Sequence, residues 1–563
     1  AFFIQVAQVV VVRHFSAMKL SSGSFLFSLF HLGGASVCLN GPCSPGNDYC
    51  GKPFQNAPVF HLMDQHGCGE NDPNGPVYDP VHGVIHHFYQ IHLAAGAGHG
   101  PDYGHFVSKD FVHWADVRTA IWNGLDASVS PPIVTKYDNE AIFTGSAFVV
   151  DGAGPDGKGP GIINLYPGLC NKHDWPACGT GTLLAQAVPA DYKNDVLLIN
   201  WTKPNYNPIM ENTQRDPSTP WKTPKGEWRI RTYDSKVYGA SSDQDIIEGK
   251  WYEIGTTPDF RTCECPSFYP LPRATPGTEA EYEKELKAGT LPSHVHKTSC
   301  GGDWWQLGTY YPGELKKLDQ FNATTAWEDL FNQRRIDAGA FYASKDSEYP
   351  TKAGGKRRIN WGWATVSPAS AQTLPREITF NVLARTLEQA PIDELEALRE
   401  PSVDFKQNFT AQGDIELKAP PGVARQSEVL AVFNLPEHAS TFGITIGAIE
   451  CTVEYTPKAL QVPVKCGKIA DTLRLTPNEA TLEIRIFSDW TFLEVYLQKG
   501  RVAMTVKGAL DAKSGVRITA SAPVIVQSAL LYPIKTIWTS ADNVRQAPRV
   551  YGRNDAELLQ TFV

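Results

Sequence analysis

The run VIHHFYQIHL (84–93) is rich in β-branched and aromatic residues and is too short for a core helix, so it reads as a buried strand. Similar runs recur at AIFTGSAFVV (141–150), DWWQLGTYY (303–311) and INWGWATV (359–366), separated by Gly, Pro, Asn and Asp turns. Over the whole stretch from Ala57 to Ala390 the persuasive helical pattern is EAEYEKELK (279–287), a charged surface insertion. Many short strands over so long a stretch predict an all-β fold, either a large sandwich or a propeller. Radial repetition of four-stranded blades handles the strand edges best over this length. No strong internal repeat fixes the blade count.

The chain has 563 residues, more than one hydrophobic core supports, so two domains are expected. A second strand-rich region follows the charged connector PIDELEALR (391–399), and its alternation is cleaner: TLEIRIFSDWTFLEVYL (481–497) and VRITASAPVIVQSALLY (516–532). Alternation of this kind builds a two-sheet sandwich. The expected layout is an N-terminal extension and leader over 1–37, a first strand-rich domain over 55–391, a linker over 392–404 and a sandwich over 405–550. Aromatic residues make up 11% of the chain, which suits β structure and sugar stacking. The net charge of −9 and the lack of a basic tract argue against a nucleic-acid partner. No apolar run is long enough to span a bilayer.

MKLSSGSFLFSLFHLGGASV (18–37) has the layout of a secretory signal peptide: a Met-Lys start, an apolar stretch and small residues at its end. Eleven cysteines and the sequons at Asn200, Asn322 and Asn408, the expected glycosylation sites, agree with an oxidising route. Export from the cell is expected, with a vacuole as the alternative destination. The cysteines cluster as Cys38/Cys43/Cys50/Cys68, Cys170/Cys178, Cys263/Cys265/Cys300 and Cys451/Cys466, and an odd count leaves at least one thiol unpaired. Their spacing lacks the tight pairs of a zinc site. Cys451 and Cys466 read as the staple of a sandwich hairpin.

Three acids stand in turn-like or strand-end motifs: Asp72 in ENDPNGP (70–76), Asp216 in QRDPSTPW (214–221) and Glu264 in RTCECPSFYPL (261–271). Singly, an Asp-Pro is ordinary turn chemistry. Together, three acids in apolar and aromatic surroundings satisfy the needs of glycoside hydrolysis, which uses one ionised and one protonated carboxyl across the scissile bond.

The order NDPNG (71–75), FYQ (88–90), GHFVSKDFVHW (104–114), GSA (145–147), RDP (215–217), ECP (264–266), GTY (308–310), FYASK (341–345), INWGW (359–363) and TLPRE (373–377) resembles glycoside hydrolase family 32. This family holds the invertases and fructan-active enzymes. RIFSDWTFLEVYLQKGR (485–501) extends the resemblance into the second region. The resemblance implies a five-bladed β-propeller followed by a β-sandwich. It further implies Asp72 as nucleophile, Asp216 as transition-state stabiliser and Glu264 as general acid/base. Asp216, beside Arg215, is expected to stay ionised. Asn71, Gln90, Phe143, Thr144 and Arg215 are the expected substrate-binding positions, with no cofactor and no metal. The implied substrates are sucrose, fructo-oligosaccharides or fructan. Fructosyl transfer and fructan exohydrolysis are the alternatives to sucrose hydrolysis, and a catalytically silent binding relative is disfavoured because all three acids are present. The sandwich is the expected surface for pairing two copies.

Several positions depart from the family pattern. Gly69-Glu70 replaces Trp-Met before NDPNG, Phe143-Thr144 replaces Trp-Ser before GSA, Cys263 replaces Trp before ECP, and Ser267 replaces Asp after it. The histidines between His82 and His113 invite a metal reading. His86 and His87 fall on opposite strand faces, however, so packing is the expected role. Trp304, Trp305, Trp361 and Trp363 are likewise expected to pack between strands.

Overall fold

A computed structural model describes residues 54–93, 100–178, 181–257, 260–314, 316–324 and 334–552. The segment read as extension and leader, with Cys38, Cys43 and Cys50, lies outside these residues. Among the described residues no helix is long and apolar enough to cross a membrane.

Five antiparallel sheets form a propeller. The first blade includes Glu70–Pro73, Val84–Ile91, Asp102–Ser108 and Trp114–Ile121. The second includes Ser146–Asp151, Pro160–Leu169 and Thr182–Pro189, and the third runs from Trp221–Lys222 to Tyr252–Thr256. The fourth comprises Glu264–Pro270, His294–Ser299, Asp303–Tyr311 and Gln320–Ala323; the fifth runs from Phe341–Pro350 to Thr386–Pro391. First strands of different blades lie against one another: Glu70–Pro73 on Phe341–Pro350, and Phe341–Pro350 on Glu264–Pro270. They therefore ring the axis. The approach is close enough to require glycine at Gly75, where a Cβ would sit 2.6 Å from the Ala147 nitrogen.

Aromatic pairs fill the space between blades. Phe88 meets Trp201 at 5.2 Å, Phe148 meets Trp228 at 5.3 Å and Trp221 meets Phe268 at 4.9 Å. Trp361 is fully buried among His87, Phe111 and Tyr349. Trp304, Trp305 and Trp361 are thus core, each contributing roughly 3 kcal/mol on burial, while Trp363 is half-buried. The histidine run is also packing: His86 hydrogen-bonds His105 at 2.9 Å, and Phe88 stacks on His105 at 4.4 Å. The predicted surface helix is present over Glu279–Ala288, with no buried residue.

The connector is a 3-10 helix, Asp393–Leu398, and it is docked: Leu395 and Leu398 are buried, and Arg357 forks onto Glu394 at 2.7 and 3.0 Å. Beyond it, ten strands build the sandwich. Its spine is the 18-residue strand Val516–Pro533. One edge of this strand pairs with Asp404–Leu417. The other pairs first with Ser440–Ile446 and then with Gln426–Asn434, so one strand serves both layers. Cys451 and Cys466 face each other on neighbouring strands and form a disulfide.

The contact between propeller and sandwich is buried and combines apolar packing, such as Phe60 against Phe487, with a polar network. His61 Nδ1 lies 2.8 Å from Asp489 Oδ2, and its Nε2 lies 3.1 Å from Glu494 Oε1. Arg376 Nη2 donates to Glu494 at 2.7 Å and lies 2.9 Å from Asp337. The chain then returns to the first blade, where Tyr78 donates to the Tyr551 carbonyl at 2.7 Å.

Candidate active site

Each of the three acids stands at or just before the first strand of a blade. Asp72 lies in Glu70–Pro73, Asp216 five residues before Trp221–Lys222, and Glu264 opens Glu264–Pro270. Residues Asp216, Cys265 and Ala343 adopt positive φ values of 61°, 45° and 52°. Left-handed backbone is costly for such residues and persists where the surroundings impose it, as at functional sites.

The three acids converge on Cys265, the free cysteine among the described residues. Its Sγ is 3.5 Å from Asp72 Oδ2, its backbone N–H donates to Asp216 Oδ2 at 3.1 Å, and it directly follows Glu264. Thr144 Oγ1 donates to Asp72 Oδ2 at 2.5 Å and accepts from Gln90 Nε2 at 2.6 Å, so a chain of hydrogen bonds fixes Asp72. Arg215 Nη2 donates to Glu264 Oε1 at 2.7 Å, while Arg215 Nε stands 3.7 Å from Asp216. The Arg215 guanidinium also lies over Tyr233, 4.4 Å from the ring centre. Tyr342 Oη is 2.7 Å from Glu264 Oε2 and 3.0 Å from the Ser299 carbonyl, so it has two acceptors.

Thus Asp72, Asp216, Glu264, Gln90, Thr144 and Arg215 form one constellation. Asn71 is half-buried beside Asp72, its carbonyl accepting from Gln372 Nε2 at 2.8 Å. Phe143 is half-buried, its carbonyl accepting from Tyr103 Oη at 2.7 Å. Asn200, Asn322 and Asn408 are exposed.

Burial pushes the Asp72 carboxyl up to about 7. The bond from Thr144 opposes the shift, and the charges of Asp216 and Glu264 add to it. Burial also raises Asp216 to about 6, against the pull of Arg215. Arg215 favours the charged form as expected, but burial outweighs it, so Asp216 is ionised above about pH 6. Burial holds the Cys265 thiol well above its usual range, so it is a thiol and a donor.

Two buried lysines complete the floor. Lys297 Nζ bonds the carbonyls of Cys265 and Ser344 at 3.0 and 2.7 Å and lies 2.8 Å from Asp303. Lys345 Nζ bonds the Pro217 carbonyl at 2.9 Å. Sequence reasoning assigned no role to Tyr342, Lys345, Cys265 or Lys297. The FYASK and ECP motifs contain three of them and were the available signal.

At the departures, Glu70 is buried and accepts from the Asp64 N–H at 2.6 Å and from Gln372 Nε2 at 3.0 Å. Gly69 takes φ 88° and donates to Asp64 at 2.8 Å. The family's bulky pair is thus replaced by an Asp64-centred turn. Cys263 is bonded to Cys300. Among the described residues, Asp64, His66 and Asp116 have ligand atoms close enough for a metal ion. They already satisfy one another, since His66 Nδ1 lies 2.9 and 3.1 Å from the two carboxylates and Asp64 accepts the N–H groups of His66, Cys68 and Gly69.

Residues 61–391 match the glycosyl hydrolases family 32 N-terminal domain, and residues 394–506 the glycosyl hydrolases family 32 C-terminal model. The acid beta-fructofuranosidase of Vicia faba is 31% identical over 402 residues, 66% of this chain and 56% of that protein. The insoluble isoenzyme beta-fructofuranosidase CWINV6 of Arabidopsis thaliana is 29% identical over 414 residues, 68% of each. The chain therefore spans between about half and two thirds of these relatives. Fructan 1-exohydrolase IIa of Cichorium intybus superposes with a TM-score of 0.66 at 21% identity, covering 86% of this chain and 99% of that one. Exo-inulinase of Aspergillus awamori gives 0.62 at 19% identity, covering 88% and 100%.

Proposed function

This chain belongs to glycosyl hydrolase family 32, and from that premise we propose that it is a retaining β-fructofuranosidase acting on sucrose and related β-fructosides. The observation that carries the reading is the convergence of Asp72, Asp216 and Glu264 around Cys265, with Arg215 and Tyr342 on Glu264. Asp72 attacks the anomeric carbon of the fructosyl unit while Glu264 gives its proton to the leaving oxygen. Water then enters, gives its proton to Glu264 and releases fructose, so two displacements retain configuration. Asp216 accepts from sugar hydroxyls, and those bonds strengthen as positive charge develops on the ring.

The cluster's proton supply fits this cycle. With Asp72 shifted to about 7, the three acids keep a proton up to near neutrality. Tyr342 lets Glu264 alternate: its hydroxyl donates to Glu264 when that group is a carboxylate and turns to the Ser299 carbonyl when it is an acid.

A wider choice of leaving group is the second reading. Gly69 and Cys263 stand where the family carries tryptophan, which leaves the leaving-group side less walled and favours fructo-oligosaccharides or fructan as donors. One experiment separates these readings. The protein is incubated with concentrated sucrose, and separately with inulin, while glucose, fructose and oligosaccharides are followed by chromatography, with Asp72→Ala as control. Equal glucose and fructose mark hydrolysis of sucrose. Excess glucose with new trisaccharides marks transfer, and fructose from inulin alone marks an exohydrolase. No product, or an Asp72→Ala variant as active as the parent, ends the proposal.

A further inference from the structure

Glu264 stands at a weak point of its sheet. The strand Glu264–Pro270 pairs with His294–Ser299 in continuous register from Ser267↔Lys297 to Pro270↔His294, but between Ser267 and Glu264 the ladder breaks in a bulge. Cys265, inside the bulge, has a φ of 45°. Beyond it a single pair, Glu264↔Ser299, resumes the ladder. A lone pair outside a bulge is where a strand end frays first. One residue further out on each strand, Cys263 and Cys300 form a disulfide across 37 residues of sequence, with their Cα atoms 5.6 Å apart. The same hairpin supplies the Ser299 carbonyl, the second acceptor of Tyr342, and Trp304 Nε1 donates to the Cys300 carbonyl at 3.2 Å.

We infer that the Cys263–Cys300 disulfide is a positioning element for the acid/base, clamping the outer end of the bulge so that Glu264, Ser299 and Tyr342 stay in one geometry. The inference rests on the role proposed for Glu264. Both half-cystines are half-buried, one residue from Glu264 and Ser299 respectively. Cys263 stands where the family carries a tryptophan, so a covalent tie takes the place of that side chain. Opening it frees Glu264 to leave the leaving-group oxygen while Asp72, held from the first and second blades by Thr144 and Gln90, keeps its place.

The test is the double variant Cys263→Ser/Cys300→Ser, assayed on sucrose and on a nitrophenyl β-fructofuranoside, whose leaving group departs with little help from an acid. The expected result is a loss of about 10²-fold in kcat on sucrose with KM little changed, since misplacing a catalytic group by about 1 Å has that effect. The activated substrate is spared. Amide hydrogen exchange is expected to quicken in peptides covering 262–268 and 297–302. Cys170→Ser/Cys178→Ser, which opens the disulfide in the second blade, is the control expected to alter neither ratio. If the serine pair does not fold, Cys263→Ala/Cys300→Val, which keeps the contact apolar, is measured in the same way. An equal fall on both substrates, or unchanged kinetics and exchange, overturns the clamp. A parent protein that cleaves neither substrate overturns the glycosidase reading instead.

Discussion

His61 Nδ1 lies 2.8 Å from Asp489 Oδ2, joining the start of the propeller to the sandwich across 428 residues of sequence. Burial disfavours the imidazolium, but the hydrogen bonds and charges of Asp489 and Glu494 outweigh it and raise the pKa above the usual 6.5. A raised folded-state pKa gives stability that is fully present below 6.5 and lost as pH rises through the higher value. The melting temperature is expected to fall as pH rises above about 6.5. His61→Ala is expected to lose about 3 kcal/mol at pH 5, because it leaves two buried carboxylates facing a gap. A variant as stable as the parent at pH 5, by thermal or urea unfolding, would refute this.

Asp72→Asn tests the opposite balance, between function and stability. Ionising a carboxyl shifted from 3.8 to about 7 costs the fold up to about 4 kcal/mol at pH 8. The amide is expected to abolish turnover and to raise the melting temperature at pH 8 but not at pH 4. Calorimetry at the two pH values decides; a lower melting point at pH 8 counts against the shift.

The same proton sets a pH profile. Since the cluster holds it up to about 7, kcat/KM on sucrose is expected to decline above about pH 7 and to be high on the acidic side. A rate still rising at pH 8 would contradict the proton inventory.

Glu264→Gln is expected to lower kcat on sucrose by about 10²–10⁴-fold, the usual share of general acid–base catalysis. The loss should be smaller on a nitrophenyl fructoside. Tyr342→Phe, which keeps the ring and deletes the alternating hydroxyl, is expected to cost less and to move the alkaline limb of the profile. Steady-state rates across pH check both, and an unaltered Tyr342→Phe profile would remove that residue from the cycle.

Much of the site was legible in the sequence because its chemistry is confined to short local motifs: NDPNG, RDP and ECP each place one carboxyl at a strand end. What surrounds the acids was not legible, since it comes from far away. Tyr342 reaches Glu264 from 78 residues on, and Thr144 reaches Asp72 from 72. Proximity in sequence showed only part of the balance: Arg215 adjoins Asp216 and favours its ionisation, but burial, which the sequence does not display, raises that carboxyl to about 6. Cysteine parity announced an unpaired thiol without saying which, and only the bulge at Cys265 separates it from its neighbour Cys263. The propeller's strands were readable as apolar runs. The blade number was not, because each blade fills its interfaces with different aromatic pairs and leaves no repeat.

The strand Val516–Pro533 also dictates an order of events during synthesis. Among the described residues Asp404–Leu417 has no other strand partner, so it leaves the ribosome with its ladder unmade and waits for about 100 residues to follow. At ordinary elongation rates that is roughly ten seconds. The five blades, whose strands pair within their own sheets, can close during that interval. The sandwich, whose strands Asp404–Leu417, Gln426–Asn434 and Ser440–Ile446 all pair with Val516–Pro533, is therefore the part of the molecule whose sheet is completed last.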